Sequence, residues 1–273
     1  MTAQPRSPHI AKISPPRLPR ILQRQRLFAE LEQALRQPAV WVCGPAGSGK
    51  TTLVASFLEA RRLPALWYQV DRNDEDLATF FHYLGIAARH ASPRKRGAMP
   101  LLTRGYLASV DKFVQRFFEA LSRRLDRPIA LVFDDCHQLP AEAPVYAALR
   151  EVLANLPEGI NAIFISRSEP PPTWARLRAN QALRVLGWDQ LRLTPAETSA
   201  LYELLTGRAL PPETLDGLHG EVQGWVAGLV LLLEQGELPA MPALEQGHAN
   251  LTAVFDYFAG EIFQRQETAI QEF

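Results

Sequence analysis

The feature that most constrains the fold of this chain is a glycine-rich stretch, residues 44–51, which directly follows a short apolar run. Its sequence, GPAGSGKT, fills every fixed position of the pattern G-x-x-x-x-G-K-[ST]. Residues 40–43 are typical of a strand, and apolar residues recur at helical spacing after the stretch. The stretch therefore predicts a strand–loop–helix unit in a parallel α/β sheet.

The loop of this unit is predicted to bind the phosphates of a nucleotide. Glycines leave main-chain amides uncovered, so that the amides can surround an anion at the positive end of the helix. Lys50 is expected to neutralise the β- and γ-phosphates, and the Thr51 hydroxyl is expected to hold Mg²⁺. The predicted phosphate-binding residues are Gly44, Pro45, Ala46, Gly47, Ser48, Gly49, Lys50, Thr51 and Thr52.

The composition is that of a folded protein without a strong electrostatic bias. The chain has 273 residues, enough for one α/β domain and a smaller companion, and 47% of them are hydrophobic. Its 29 basic side chains balance 29 acidic ones. The net charge of zero argues against a surface built to grip nucleic acid.

Three further patterns bear on the cell compartment. Cys43 and Cys136 each stand at the end of a predicted strand, where a small buried thiol fits better than a disulfide. The most continuous apolar run, residues 225–233, is too short to cross a bilayer. The proline-rich N-terminus lacks the apolar core of a signal peptide. We therefore expect a cytoplasmic protein without a membrane partner.

The stretch before the glycine-rich loop divides into two parts. Residues 1–20 carry five prolines among basic residues and predict an extended, weakly ordered arm. A predicted helix follows, and at its start Ile21 and Leu22 could pack on adenine while Arg24 or Arg26 could reach a phosphate. The alternative is an ordinary surface helix.

The central part of the chain predicts further elements of the same sheet. Residues 65–70 are typical of a strand and residues 77–88 of a helix. A strongly amphipathic helix is predicted around residues 110–125, and its aromatic side chains are expected in the core. The basic loop between them, residues 90–104, either meets a partner or is simply solvated.

A second candidate for catalysis is a fully apolar strand, residues 129–133, that ends in two carboxylates. Continuous hydrophobicity is typical of a strand buried on both faces of a parallel sheet, where ligands bind at the carboxyl edge. Asp134 is expected to hold Mg²⁺ through water, and Asp135 to orient or deprotonate the attacking water. The alternative is an ordinary acidic turn, and His137 is more typical of a structural hydrogen-bonding group than of a catalyst.

Another buried strand, residues 161–167, ends in Ser166 and Arg167. If it lies between the strands that carry the glycine-rich loop and Asp134, both side chains face the γ-phosphate, and Arg167 is a sensor of that group. The alternative is an arginine that only caps a strand end. Residues 182–186 complete a predicted parallel sheet of five strands.

The remainder of the chain is predicted to be helical. A capping pattern at Thr194–Glu197 starts the first of three helices, and the third begins near Trp225. We predict four regions: the arm over residues 1–20, a nucleotide-binding domain over 21–190, a helical domain over 191–250, and the start of a truncated winged helix or further helical segment over 251–273.

Together these motifs resemble the STAND class of signalling ATPases, which is AAA/AP-ATPase-like, and within it the nucleotide-binding module of large MalT-like, LuxR-type transcriptional activators. The resemblance covers nearly the whole chain. It rests on the Trp67 strand and on residues 24–27, 44–51, 134–137, 166–168, 189–195 and 224–229.

The resemblance implies a signalling switch rather than a metabolic enzyme. ADP would hold a closed form, ATP with an inducer would favour an open, self-associating form, and slow hydrolysis would reset the switch. It also places Trp225 and Val226 near the adenine, although relatives usually carry a proline where this chain has Val226. DNA would be bound only through regions absent from this chain.

Two other functions are compatible with the same motifs. A turnover enzyme such as a P-loop kinase would need an acceptor pocket and a lid, and no pattern for either is visible. A non-hydrolysing nucleotide-binding scaffold would keep the fold without the chemistry, which the intact Lys50, Thr51, Asp134 and Asp135 argue against.

Overall fold

The computed structural model describes residues 11–18, 20–95, 97–106 and 109–234. These residues form two compact units. The first holds the residues up to 46 together with residues 50–191, and the second holds residues 47–49 together with those from 192 onward. The predicted segment 251–273, and the predicted helical domain beyond residue 234, lie outside the described residues.

The first unit is built on a five-stranded parallel sheet with the strand order β2-β3-β4-β1-β5. Its strands are β1 (Ala39–Cys43), β2 (Ala65–Gln69), β3 (Ile129–Asp134), β4 (Ile160–Ser166) and β5 (Leu183–Leu186). Strand β4 lies between β1 and β3. The predicted α/β fold with an inserted strand is therefore confirmed.

Helices cover both faces of this sheet. They are α1 (Gln25–Ala34), α2 (Lys50–Ala60), α3 (Leu77–Ala91), α4 (Val110–Arg124), α5 (Pro144–Leu153), α6 (Ala175–Ala179) and α7 (Trp188–Leu191). Short 3-10 turns lie at Ala11–Ile13, Arg72–Glu75, Arg104–Tyr106, Cys136–Gln138 and Pro172–Trp174. In the described part of the chain, no helix combines the length and apolarity needed to cross a bilayer.

Alternation along the strands divides the core into two layers. Trp41, Phe133 and Phe164 point into one layer, where the predicted aromatic face of α4 also packs. Val42 and Ile165, one position further along their strands, point into the other layer with α1 and α2. Because side chains of a strand alternate between faces, continuous apolar strands fill both layers at once.

Residues 11–18 are the part of the N-terminal arm for which the structure gives contacts with the sheet; residues 1–10 lie outside the described residues, and the extended arm stays a prediction. A 3-10 turn there places Ile13 in the core, with 8% of the residue exposed. Lys12 forms an ion pair with Asp71 and another with the fully buried Asp74, at 2.8 Å. The Tyr68 hydroxyl also donates to Asp74, at 2.7 Å. A buried carboxylate requires such partners, and the sequence pattern did not reveal them.

A buried arginine holds part of the predicted basic loop. Arg124, at the end of α4, is 8% exposed and donates to the Lys95 and Gly97 carbonyl oxygens at 2.6 and 3.2 Å. Lys95 in turn forms an ion pair with Asp126 at 2.6 Å. These contacts give Lys95 a structural role in this loop, and contact of the loop with a partner stays a prediction.

The second unit contains three helices, α8 (Pro195–Thr206), α9 (Pro212–Val222) and α10 (Val226–Glu234), among its described residues. The predicted cap of α8 is present, because Thr194 accepts from the Glu197 amide and Glu197 accepts from the Thr194 amide. Gly224 connects α9 to α10 with a φ of +75°, and its carbonyl accepts from the Leu193 amide at 2.8 Å.

Candidate functional site

Polar groups gather where the central strands of the sheet end. The register pairs Cys43 with Ser166 and Gln69 with Asp134. The residues that follow these positions therefore leave the sheet at the same edge. In an open parallel sheet, this carboxyl edge is the usual place for a ligand.

The glycine-rich loop leaves this edge after β1 and runs into α2. Gly47 and Gly49 have φ angles of +67° and +81°, a conformation that side chains disfavour. Lys50 begins α2, is 8% exposed, and donates to the Gly44 and Pro45 carbonyl oxygens at 2.8 and 2.7 Å. The Lys50 ammonium therefore lies against Gly44 and Pro45, the first two residues of the loop that was predicted to hold phosphate.

Thr51 and Asp134 meet beside this loop. The Thr51 hydroxyl donates to Asp134 Oδ1 at 3.1 Å, and the same oxygen accepts from the Asp135 amide at 2.9 Å. A hydroxyl next to a carboxylate suits Mg²⁺, which keeps several waters and takes few protein oxygens. Among the described residues, no group of three or more His, Cys, Asp and Glu side chains is placed to bind a metal. The pair fits Mg²⁺ that takes its other ligands from water and phosphate.

Burial and, to a smaller extent, neighbouring charges shift the pKa values of two groups at this site. Burial raises the pKa of Asp134 to about 6, and the neighbouring Asp135 carboxylate adds to this rise. Burial lowers the pKa of Lys50 to about 8, and the positive charge of Arg167 adds to this fall. Both shifts show charged groups held out of water, and a bound magnesium–phosphate group would supply the charges that compensate them.

Asp135 stands just past β3 in a left-handed backbone conformation, with a φ of +57°. Gln69 at the end of β2 donates to Asp135 Oδ2 at 3.1 Å, and His137 Nδ1 lies 4.0 Å from Asp135 Oδ1. Gln69 was not among the residues predicted from the sequence. Gln69 matches the pattern that predicted Asp134 and Arg167, which is a polar residue at the carboxyl end of a parallel strand.

Arg167 follows β4 at the same edge as the loop. Ser166, the last residue of β4, is 1% exposed, and its carbonyl accepts from the Gly44 amide at 3.4 Å. The structure therefore brings Arg167 to the first glycine of the loop along the main chain. Its role as a sensor of the γ-phosphate stays a prediction.

The residues predicted near adenine lie in two places. Ile21 and Leu22 are half-buried just before α1, and Arg24 beside them is 7% exposed. Within the second unit, which includes loop residues 47–49, the Ala227 amide donates to the Gly47 carbonyl at 3.0 Å. A Cβ on Gly49 would lie 3.6 Å from Val226, and Trp225 is 8% exposed. Adenine contact by these residues stays a prediction.

Both cysteines are buried free thiols, as predicted. Cys43 donates to Glu169 Oε1 at 3.4 Å, and burial with the Glu169 charge raises the pKa of the thiol to about 12. Burial also raises the pKa of Cys136. Thiols with raised pKa values are poor nucleophiles, so neither is suited to catalysis.

Residues 20–165 match the family of AAA ATPase domains. This match covers more than half of the chain and includes β1 to β3, most of β4, the glycine-rich loop and both carboxylates. The chain belongs to the AAA ATPase domain family. This P-loop fold implies nucleotide binding. The matched region ends at residue 165, within β4, and so does not include Arg167.

The proteins similar to this chain include transcriptional regulators. The HTH-type transcriptional regulator MalT of Yersinia pestis (strain Pestoides F) is 29% identical over 269 residues, which cover 96% of this chain and 30% of that protein. MalT of Cronobacter sakazakii is 27% identical over 270 residues, with the same coverage. The chain thus spans less than a third of these regulators.

A solved structure shows the same fold. The Walker-type ATPase PABY2304 of Pyrococcus abyssi superposes with a TM-score of 0.57, covering 89% of this chain and 74% of that chain, at 12% identity. At this identity, the likeness concerns the fold alone.

Proposed function

We propose that the chain is an ATP/ADP-binding switch with slow, Mg²⁺-dependent ATP hydrolysis, and that it serves as the regulatory core of a larger transcriptional regulator. One observation carries the proposal. The hydroxyl of Thr51, the residue after Lys50, lies 3.1 Å from the Asp134 carboxylate, although 83 positions separate them in the sequence. A lysine, a hydroxyl and a carboxylate at one sheet edge are the groups that a magnesium–triphosphate needs.

The loop and Lys50 would bind the phosphate tail. Lys50 holds two main-chain oxygens, and in binding it would exchange these neutral partners for phosphate oxygens. The opposite charge of the phosphates would raise the pKa of Lys50 from its value of about 8. Thr51 and Asp134 would hold Mg²⁺, whose charge would stabilise the γ-phosphate as it is transferred.

Asp135 would act on the attacking water. Gln69 donates to Oδ2 of its carboxylate at 3.1 Å, and Oδ1, which lies 4.0 Å from His137 Nδ1, would accept the water proton. As the water oxygen bonds to the γ-phosphorus, the bond from that phosphorus to the ADP oxygen breaks, and Asp135 takes up the proton. Arg167 would contact the γ-phosphate, so that ATP and ADP would be bound differently.

The regulatory part of the proposal rests on similarity. The similar MalT proteins are described as HTH-type transcriptional regulators, and they are more than three times as long as the matched region. An inducer, self-association in the ATP state and DNA contact through other regions are therefore proposed for the whole protein. For the residues of this chain, we propose only nucleotide binding and slow ATP hydrolysis.

The first test is nucleotide binding measured by isothermal titration calorimetry with ATP and ADP, with Mg²⁺ present and absent. Lys50→Ala should weaken ATP binding by roughly 10- to 100-fold, because hydrogen bonds to charged groups are worth about 1.5–3 kcal/mol each. Lys112→Ala, which removes an exposed lysine of α4, is the matched control and should bind as the parent does. A parent protein that binds neither nucleotide would contradict the proposal.

A second measurement separates the switch from its alternatives. We expect ADP to co-purify with the protein and steady-state hydrolysis to be slow, with Asp135→Asn slower still. Rapid phosphate transfer to an added acceptor would instead indicate a kinase. Tight ATP binding with equal, negligible hydrolysis in the parent and in Asp135→Asn would indicate a scaffold.

A further inference from the structure

The turn after β4, which carries Arg167, is tied to β1 by a tryptophan that the catalytic proposal does not use. We infer that Trp41 is a positioning residue, which holds Arg167 in place for discrimination between ATP and ADP. The inference rests on the proposed function, because it assigns the support of a group that the proposed function uses. It concerns residues of the first unit alone.

The main chain is held on both sides of Arg167. Before it, the Ser166 carbonyl accepts from the Gly44 amide at 3.4 Å. After it, the Ser168 carbonyl accepts from the Trp41 indole Nε1 at 2.9 Å. The Ser168 amide also donates to Ser166 Oγ, at 3.1 Å, which closes the turn. Two of these three bonds join the turn to β1 and to the loop that follows it.

The Trp41 indole is itself held in place by the core. Trp41 is 1% exposed, and its ring stacks on Phe164 with 5.5 Å between ring centroids. Trp174 packs edge-on against Trp41 at 5.6 Å, and its own indole donates to the Tyr146 carbonyl at 2.9 Å. The direction of the Trp41 N–H bond is therefore set by tight packing and not by the turn that it holds.

The charge of Arg167 acts where the phosphates are expected. Arg167 directly follows Ser166, whose carbonyl accepts from the Gly44 amide at 3.4 Å, so the arginine leaves the sheet next to the first residue of the loop. An arginine that is already oriented loses less conformational freedom when it binds a phosphate than one on a mobile turn. Since ADP has no γ-phosphate, loosening the turn should weaken the binding of a triphosphate and leave ADP binding unchanged.

The experiment compares two tryptophans of the same aromatic cluster. Trp41→Phe and Trp174→Phe each remove a buried indole and one indole hydrogen bond, but only Trp41 bonds to the Arg167 turn. Calorimetry would give the affinities for ADP and for the non-hydrolysable analogue AMP-PNP with Mg²⁺. Trp41→Phe should lower the preference for AMP-PNP by about three- to tenfold, the range expected for one hydrogen bond. Trp174→Phe should leave the preference within about twofold of the parent.

Arg167→Ala separates this inference from the proposed function. It should remove the preference, and adding Trp41→Phe to it should change nothing further, because both changes act on the same group. If Arg167→Ala keeps the parent preference, both the sensor role and the inference fall. If Arg167→Ala removes the preference while Trp41→Phe behaves as Trp174→Phe does, only the inference falls.

A second variant covers the case in which Trp41→Phe does not fold. Benzothienylalanine introduced at position 41 replaces the indole N–H by sulfur with little change in ring shape, so that the packing is kept and the hydrogen bond is lost. It should lower the preference as Trp41→Phe does. A preference equal to that of the parent would overturn the inference.

Discussion

At the scale of single residues, the buried, ionised carboxylate of Asp134 lowers the stability of the folded chain. Asp134 is 5% exposed, and burial together with the Asp135 charge raises its pKa to about 6. A group whose pKa is raised on folding binds its proton more tightly in the folded chain than in the unfolded one. Its ionised form therefore opposes folding, and this cost is largest above about pH 6 and fades toward pH 4. A bound cation would remove this cost, because its positive charge would compensate the buried negative charge of Asp134.

Asp134→Asn should raise the stability of the metal-free protein in a pH-dependent way. The asparagine oxygen can still accept from Thr51, while the buried charge is lost. The free energy of unfolding should rise by up to about 3 kcal/mol near pH 7.5 and by only about 1 kcal/mol near pH 4.5, given a pKa raised from 3.8 to about 6. Urea unfolding at both pH values, with a chelator present, measures this. Glu142→Gln, at an exposed carboxylate, should have little effect, and an equal gain for Asp134→Asn at both pH values would disprove the explanation.

At the scale of elements, the connection from α9 to α10 shows how a sequence motif can be required for packing. A Cβ on Gly224 would lie 2.8 Å from the Leu193 carbonyl oxygen, and its φ of +75° disfavours side chains. A Cβ on Gly228 would lie 2.5 Å from the Trp225 ring. Gly224 and Gly228 therefore allow close packing inside the second unit. This need for glycine does not depend on the predicted contact between Val226 and adenine.

Gly224→Ala should destabilise the second unit, whereas Gly220→Ala should not. The first change adds a methyl group against the main chain and strains the backbone, which together should cost about 2–4 kcal/mol. Gly220 lies inside α9, and a methyl group there would extend into open space with no neighbouring element within 4 Å. Alanine at this position should therefore stabilise the helix by up to about 1 kcal/mol.

Hydrogen exchange of α8 to α10 and chemical unfolding of the full chain would measure both effects. Faster exchange is expected in these helices for Gly224→Ala, with the sheet of the first unit unchanged. Equal effects of the two alanines would show that the close approach of Gly224 to Leu193 is not what requires a glycine.

At the scale of the whole molecule, parallel topology assembles the site. Asp134 ends β3, Arg167 follows β4 and the glycine-rich loop follows β1, three strands that are far apart in sequence but adjacent in the order β3-β4-β1. Parallel pairing brings the carboxyl ends of all three to one edge. A ligand held by all three would therefore bind the folded chain and not the unfolded one, and should stabilise it by mass action.

Thermal stability should rise with the number of phosphates on the nucleotide. At about 100 times its Kd, a ligand adds about 2.7 kcal/mol, which should raise Tm by roughly 5–10 °C for a chain of this size. With Mg²⁺ and a fixed nucleotide concentration, we expect little change with adenosine and larger changes with ADP and AMP-PNP. Lys50→Ala should lose most of the rise. A rise with adenosine as large as that with AMP-PNP would show that the phosphate site does not dominate binding.

Much of the fold and some of the site could be predicted because the signals are local. The strands around Trp41 and Val132 are continuous apolar runs, and the loop pattern depends on glycines within eight positions. Gln69 was missed because a single polar residue at a strand end is common. The Lys12 ion pairs with Asp71 and Asp74 were missed because they join residues about 60 positions apart, a separation at which charge patterns carry no information.

The sequence by itself determined the chemistry that is available: a loop free of side chains, a lysine, a hydroxyl and a pair of carboxylates, each next to an apolar strand. These follow from local composition and spacing, and chain neighbours suffice to define them. Only the tertiary structure decided which of these groups meet. It placed Thr51 against Asp134, and it gave the Arg167 turn its bond to Trp41. Such contacts depend on strand order and register, which are set by the packing of the entire sheet.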